Sequence, residues 1–149
     1  MIATDLCAEH GLEIPALPHE IIENLNRVLP DYWSHGNPVD LVGETSPEVS
    51  KACMEELLKW DGCDAVIQLG VHGQRILISN MIQSVSRVDP DLTPEQGQAF
   101  KDAMAGAEDA YIRHVVALTE KYEKPVLGVS LLTDAVSRTL YRVDDARYK

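Results

Sequence analysis

The sequence predicts an α/β domain with a mostly parallel sheet and helices on both of its faces. Helical and strand-like patterns alternate along the 149 residues, as they do in parallel α/β domains. Residues 65–69 form an almost continuous apolar run, which is typical of a central parallel strand covered on both faces. A Gly-rich turn follows this run directly and leads into a helix near Gln74.

The first part of the chain is predicted to be helical. Apolar residues at helical spacing from Ile2 to Cys7 indicate an opening helix, and Gly11 stands where a C-terminal glycine belongs. A second helix is expected between Pro18 and Pro30. Its apolar face comprises Ile21, Ile22, Leu25, Val28 and Leu29.

Residues 36–43 are interpreted as a short strand that ends in a glycine turn. Ser46 then caps a third helix, with Pro47 in its first turn and Asp61-Gly62 at its end. The expected buried stripe of this helix comprises Val49, Ala52, Cys53, Leu57 and Trp60.

The second part of the chain contains one more long helix and one more strong strand. A capping-box pattern at Thr93 to Gln96 starts a helix that is expected to run to about Tyr122. Residues 126–131 form the next strand, and residues 134–141 a short helix. With three strands in the chain, we expect one strand to be missing before Met1 and another after Lys149.

The composition argues against several classes of protein. The net charge of -11 would repel nucleic acid, so we expect no nucleic-acid partner. No apolar run approaches the ~18 residues of a membrane span, and no signal peptide is recognised, so we expect a cytoplasmic protein without a membrane role. The three cysteines show no metal-ligand spacing, and we expect no metal site; Cys7 and Cys53 fit small buried apolar positions.

Four segments resemble the NDP-forming acyl-CoA synthetases, the family of succinyl-CoA synthetase. They are residues 4–13 (TDLCAEHGLE), 36–43 (GNPVDLVG), 64–70 (DAVIQLG) and 124–129 (KPVLGV). Their order and spacing match over nearly the whole chain, and the Asn-Pro-Val-Asp segment is the most specific of the four. The resemblance identifies residues 1–149 as a flavodoxin-like three-layer CoA-ligase domain that lacks its first and last strands.

The resemblance implies a role in joining an acid to CoA, with conversion of ATP or GTP to the diphosphate. In this family a histidine of another domain carries the phosphate, and two helix N-termini flank that phosphohistidine. We therefore expect CoA-binding and ATP-grasp domains or subunits as partners. CoA, the nucleotide and Mg belong to the complete enzyme, and we expect no cofactor on this chain alone and no acyl-CoA synthetase activity from it.

Gly70, His72, Gly73 and Gln74 are the candidate phosphate-binding residues. They follow the best strand and precede a helix, at the sheet edge where ligands of open α/β domains bind. The alternative is a tight turn that needs glycine for its backbone angles. His72 is interpreted as a loop histidine, because the family's phosphate acceptor lies elsewhere. No catalytic residue is assigned to this chain.

Asn37, Asp40 and Gly43 are candidates for a turn or an interface beside the same sheet edge. Asn and Asp commonly satisfy local backbone groups, so a structural role competes with partner binding. An incomplete sheet would expose strand edges, so we also expect self-association through a sheet edge or the opening helix. The alternative to a ligase component is a non-catalytic flavodoxin-like binding or regulatory module.

Overall fold

The computed structural model describes residues 2–43, 46–70, 74–129, 141–143 and 146–148. These residues form five helices and four short strands, an architecture of mixed α/β class. The chain divides into two compact units, Met1–Val66 and Ile67–Lys149. Each unit has its own buried residues and is described separately below.

The first unit is helical. It contains α1 (Ile2–Glu9), α2 (His19–Leu25) and α3 (Pro47–Lys59). Gly11 takes a positive φ of 76° just after α1, which confirms the glycine stop expected there. Ser46 holds the predicted N-cap position of α3, although its side chain makes no capping hydrogen bond. Pro18 is the N-cap residue of α2, one position before the first turn in which it was expected.

The core of the first unit lies between α2, α3 and the segments that flank them. Trp33 is 2% exposed, and its indole Nε1 donates a hydrogen bond to Asn26 Oδ1 at 2.7 Å. Burial raises the pKa of the Cys53 thiol to about 11, as expected for a thiol surrounded by apolar atoms. The buried members of this core are Leu17, Ile21, Leu25, Leu29, Trp33 and Cys53.

The second unit combines two helices with two small sheets. Strand β1 (Val66–Leu69) lies parallel to β2 (Val126–Val129), and the connection between them contains α4 (Gln74–Val85) and α5 (Pro94–Tyr122). Strands β3 (Tyr141–Val143) and β4 (Ala146–Tyr148) form an antiparallel pair.

Helix α5 begins where its sequence predicts. The Thr93 hydroxyl accepts the Gln96 amide, and the Gln96 side chain accepts the Thr93 amide, so the capping box is complete. Near this end, a Cβ on Gly97 would lie 3.0 Å from Ile82 Cγ2, so glycine permits a close approach of α4 and α5. Tyr111, Ile112, Val115 and Leu118 are buried farther along α5.

Three expectations for secondary structure are wrong. Residues 36–43 do not form a strand; they are irregular, with a cis peptide bond before Pro38 and positive φ angles at Val42 and Gly43. Helix α2 ends at Leu25, because residues 26–28 continue as turns. The β3–β4 pair was not predicted, and it includes Tyr141, which was assigned to a helix; residues 134–140 of that helix lie outside the described residues.

The expected cover on both faces of the 65–69 strand is also wrong. Within the described part of the chain, β1 pairs with one strand, β2, so a central position is not observed. Burial alternates along it: Gln68 is partly buried, whereas Ile67 is 37% exposed and Leu69 is 50% exposed. The continuous apolar run predicted cover on both faces, but the strand has one covered face and one exposed face.

Among the described residues, no helix is both long enough and apolar enough to cross a membrane.

Candidate functional site

The candidate phosphate site follows β1. Gly70 has a positive φ of 81°, and its amide donates to Val129 O at 2.9 Å, so it ends the pairing with β2 and turns the chain away. Helix α4 then begins at Gln74, as predicted. The candidates His72 and Gly73 lie outside the described residues. The structure thus places a helix N-terminus five positions after Leu69, the last residue of β1.

The charge at the start of α4 differs from that of the other described helices. The first turn of α4 contains no acidic residue. Each of the other four helices has one acidic residue there: Asp5, Glu20, Glu48 and Glu95. An α-helix leaves its first amides without intrahelical partners and carries a partial positive charge at that end. The start of α4 therefore has no carboxylate in its own first turn to compete with a bound anion.

Glu95 shows how a helix start acts on a negative charge in this chain. This carboxylate lies in the first turn of α5. Its pKa is lowered by a hydrogen bond from a backbone amide and, to a smaller extent, by one from the Thr93 side chain. The same kind of donor is present at the start of α4, where no first-turn carboxylate uses it.

Asn37, Asp40 and Gly43 all lie in the first unit, where they shape the irregular segment. Asn37 Nδ2 donates to Pro15 O at 3.1 Å, which ties this segment to the connection before α2. Asp40 Oδ1 accepts the Val42 amide at 2.8 Å in a local turn. Gly43 adopts a φ of 79°, a conformation that favours glycine. These contacts give Asn37 and Asp40 local structural roles.

The turn at Asp40 can be tested by removing its acceptor. We expect Asp40→Ala to lower the free energy of unfolding by about 1 kcal/mol, because the Val42 amide loses its partner. Asp40→Asn keeps an acceptor oxygen and should cost less than half as much. Urea unfolding followed by circular dichroism measures both changes. Equal losses in the two variants would show that the charge of Asp40, rather than its hydrogen bond, matters.

A polar contact joins β1 to α5 on the covered face of the sheet. Gln68 Nε2 donates to the Tyr111 hydroxyl, and Tyr111 is 6% exposed. One turn farther along α5, His114 Nε2 is buried and has no hydrogen-bond partner among the described residues. His114 as a whole is partly buried. The pairing of Gln68 with Tyr111 was not predicted, because 43 residues separate them.

The opposite face of the β1–β2 sheet is aliphatic and exposed. Because Gly70 N bonds to Val129 O, Ile67 lies beside Leu127 and Leu69 beside Val129 on one face. Their exposed fractions range from 37% to 50%, high for aliphatic residues in parallel strands. We call these four residues, Ile67, Leu69, Leu127 and Val129, the outer sheet face.

Over the described ranges, no group of three or more His, Cys, Asp or Glu side chains could hold a metal ion. Comparisons with protein-family models, curated proteins and solved structures found no match.

Proposed function

We propose that this chain is a domain of an NDP-forming acyl-CoA synthetase and that it supplies one phosphate-facing helix start and a domain interface. The proposal depends on the turn at Gly70, directly after β1, and on α4, which begins at Gln74 without a first-turn carboxylate. The four segments that resemble this family support the choice of reaction. A flavodoxin-like arrangement of the complete domain is part of the proposal.

In the proposed reaction, an acid, CoA and a nucleoside triphosphate yield acyl-CoA, the nucleoside diphosphate and phosphate. The role of this chain is electrostatic: the first-turn amides of α4, which an α-helix leaves without intrahelical partners, stabilise the negative charge of a phosphoryl group presented by a partner domain. No residue of this chain forms a covalent bond to phosphate in this scheme. We assign CoA, ATP or GTP and Mg to the CoA-binding and ATP-grasp partners.

A non-catalytic binding or regulatory module is the second candidate. The outer sheet face favours it, because four neighbouring aliphatic side chains, each more than a third exposed, suit contact with another protein. For this second candidate, the other protein could also be a second copy of this chain. A ligase component must also contact other domains, so this surface does not by itself distinguish the two candidates.

Reconstitution distinguishes them. We would mix the purified chain with separately expressed CoA-binding and ATP-grasp domains and measure thioester formation with acid, CoA and ATP or GTP. The ligase proposal requires turnover that depends on this chain. Stable assembly without turnover, in the presence of either nucleotide, would favour the binding module. Turnover by the partner domains alone would remove this chain from the reaction.

The helix start can be tested in the reconstituted system with Gln74→Glu. A carboxylate in the first turn of α4 would repel the phosphoryl group, so we expect kcat to fall by about 10–100-fold. The fold should be retained, because acidic residues are favourable at a helix N-terminus. The matched control is Gln83→Glu, the same change at an exposed position near the other end of α4. Equal activity of the two variants would contradict a phosphate contact at this helix start.

A further inference from the structure

The turn that follows α3 contains the only Asp-Gly dipeptide of the sequence, Asp61-Gly62. The Cys63 amide donates a hydrogen bond to Trp60 O at 3.0 Å, so the two residues between them are the central residues of a closed turn. Both of these residues are exposed. Within the described part of the chain, neither the Asp61 carboxyl group nor the Gly62 amide makes a hydrogen bond or an ion pair. A carboxyl group and the amide of the next residue are therefore neighbours in an exposed turn, and neither is occupied by another partner there.

The Trp60 side chain lies against Gly62. A Cβ atom on Gly62 would overlap the Trp60 ring, so this contact requires glycine at position 62. Trp60 packs in turn against the hydrophobic core of the first unit. Glycine also gives the least steric hindrance to reactions at its own amide nitrogen, because no side chain flanks that atom. The packing of Trp60 therefore retains in this turn the residue type that leaves the Asp61 carboxyl group most open to attack by the following amide.

We propose that Asp61 is a modification site, at which the folded chain isomerises spontaneously to isoaspartate. The Gly62 nitrogen attacks Cγ of the Asp61 carboxyl group in its acid form. The N–Cγ bond forms, and the carboxyl oxygen leaves as water, taking its own proton and the amide proton. The product is a cyclic succinimide that is lighter by one water molecule. Water then opens the ring at either carbonyl. Opening at the backbone carbonyl of Asp61 leaves the chain connected through Cγ, so the atoms balance and the backbone is longer by one carbon.

Isomerisation would change the contacts of this turn. The additional backbone carbon lengthens the ring that the Trp60–Cys63 hydrogen bond closes, and it displaces Gly62 from the Trp60 side chain. We therefore expect the Trp60 indole and Cys63 amide resonances to shift in the isomerised chain. The Gln96 amide, which belongs to the capping box of α5 in the second unit, is the internal reference and should not shift.

Ageing of the intact, purified chain at physiological temperature and neutral pH tests the site. Peptide mapping by mass spectrometry with electron-transfer fragmentation distinguishes isoaspartate from aspartate at each position. Methyl transfer from S-adenosylmethionine by an isoaspartyl methyltransferase measures the total. Asp5 and Asp31 are exposed too, but each precedes a large side chain. We expect at least about tenfold more isoaspartate at Asp61 than at either of them, because a side chain on the following residue hinders ring closure.

Asp61→Glu is the informative variant, because it keeps the charge but would have to form a larger and less favourable ring. Methylation of the aged chain should fall to the background level in Asp61→Glu and stay at the parent level in the matched control, Asp31→Glu. Gly62→Ala is unsuitable, since its Cβ would overlap the Trp60 ring. A parallel sample aged in urea shows what the unfolded chain does.

Isoaspartate that forms at Asp61 in the folded chain and is lost in Asp61→Glu supports the proposal. Equal amounts at Asp61 and Asp5, or unchanged methylation of Asp61→Glu, would overturn it. Isoaspartate that forms at Asp61 in urea but not in the folded chain would also overturn it, because the closed turn would then protect the carboxyl group from the Gly62 amide.

Discussion

Replacing Trp33 with alanine is expected to lower the free energy of unfolding of the first unit by about 3–5 kcal/mol. The Trp33 side chain is 2% exposed, and its Nε1–H group donates a hydrogen bond to Asn26 Oδ1. The centroids of the Trp33 and His35 rings lie 4.8 Å apart. Alanine would leave a large cavity in the core and remove the hydrogen bond. Urea unfolding followed by hydrogen exchange at Leu25 and Leu29 measures the loss.

Two further variants separate the effect of the buried Trp33 side chain from that of its hydrogen bond and from that of a neighbouring exposed aromatic residue. Trp33→Phe keeps most of the apolar volume but not the hydrogen bond to Asn26, so we expect a smaller loss of about 1–2 kcal/mol. Tyr32→Ala removes the neighbouring aromatic residue, which is 77% exposed, and should change stability by at most about 0.5 kcal/mol. Similar losses for Trp33→Ala and Tyr32→Ala would contradict the placement of Trp33 in the core.

Replacing Ile112 with alanine is expected to lower the free energy of unfolding of the second unit by about 2–5 kcal/mol. Ile112 is 0% exposed on α5, beside Val115, which is also 0% exposed. Alanine has the highest intrinsic helix propensity, so the loss of stability would come from the cavity and not from a weaker helix. Hydrogen exchange at Ile112, Val115 and Leu118 amides in urea measures it locally.

Phe100→Ala is the control on the same helix. Phe100 is 43% exposed, so the cavity left by alanine opens to solvent, and we expect a cost of less than about 1.5 kcal/mol. If the two variants lost the same stability, the assignment of the buried face of α5 would be wrong. The comparison therefore tests which side of α5 the unit encloses.

Local signals in the sequence predicted the parts of the fold that neighbouring residues decide. The capping box from Thr93 to Gln96 predicted the start of α5, and both of its hydrogen bonds are present. Pro47 and Gly11 likewise marked the first turn of α3 and the end of α1. The strands predicted at 65–69 and 126–131 are observed at 66–69 and 126–129 among the described residues, and α4 starts at Gln74 as predicted. The flavodoxin-like arrangement and the ligase function remain predictions.

The candidate site was predictable only in part. The glycine at position 70 predicted a turn, and the hydrophobic periodicity that follows predicted a helix starting at Gln74. The absence of an acidic residue from the first turn of α4 became informative only when the starts of all five described helices could be compared. The contact between Asn37 and Pro15 could not be predicted, because nothing in the sequence shows that two segments 22 residues apart meet.

By itself, the sequence of this protein determined where most helices and the two parallel strands occur, because capping, chain stiffness and periodicity act over a few residues. Tertiary structure alone decided which faces are covered. Helix α3 packs Cys53 and Leu57 of the expected stripe against the core that contains α2, and it also buries Met54 and Leu58, which lie outside that stripe. Likewise, Gln68 is covered by Tyr111 while Leu69 stays exposed. Burial depends on contacts between residues far apart in the chain, and a local pattern carries no information about their distance.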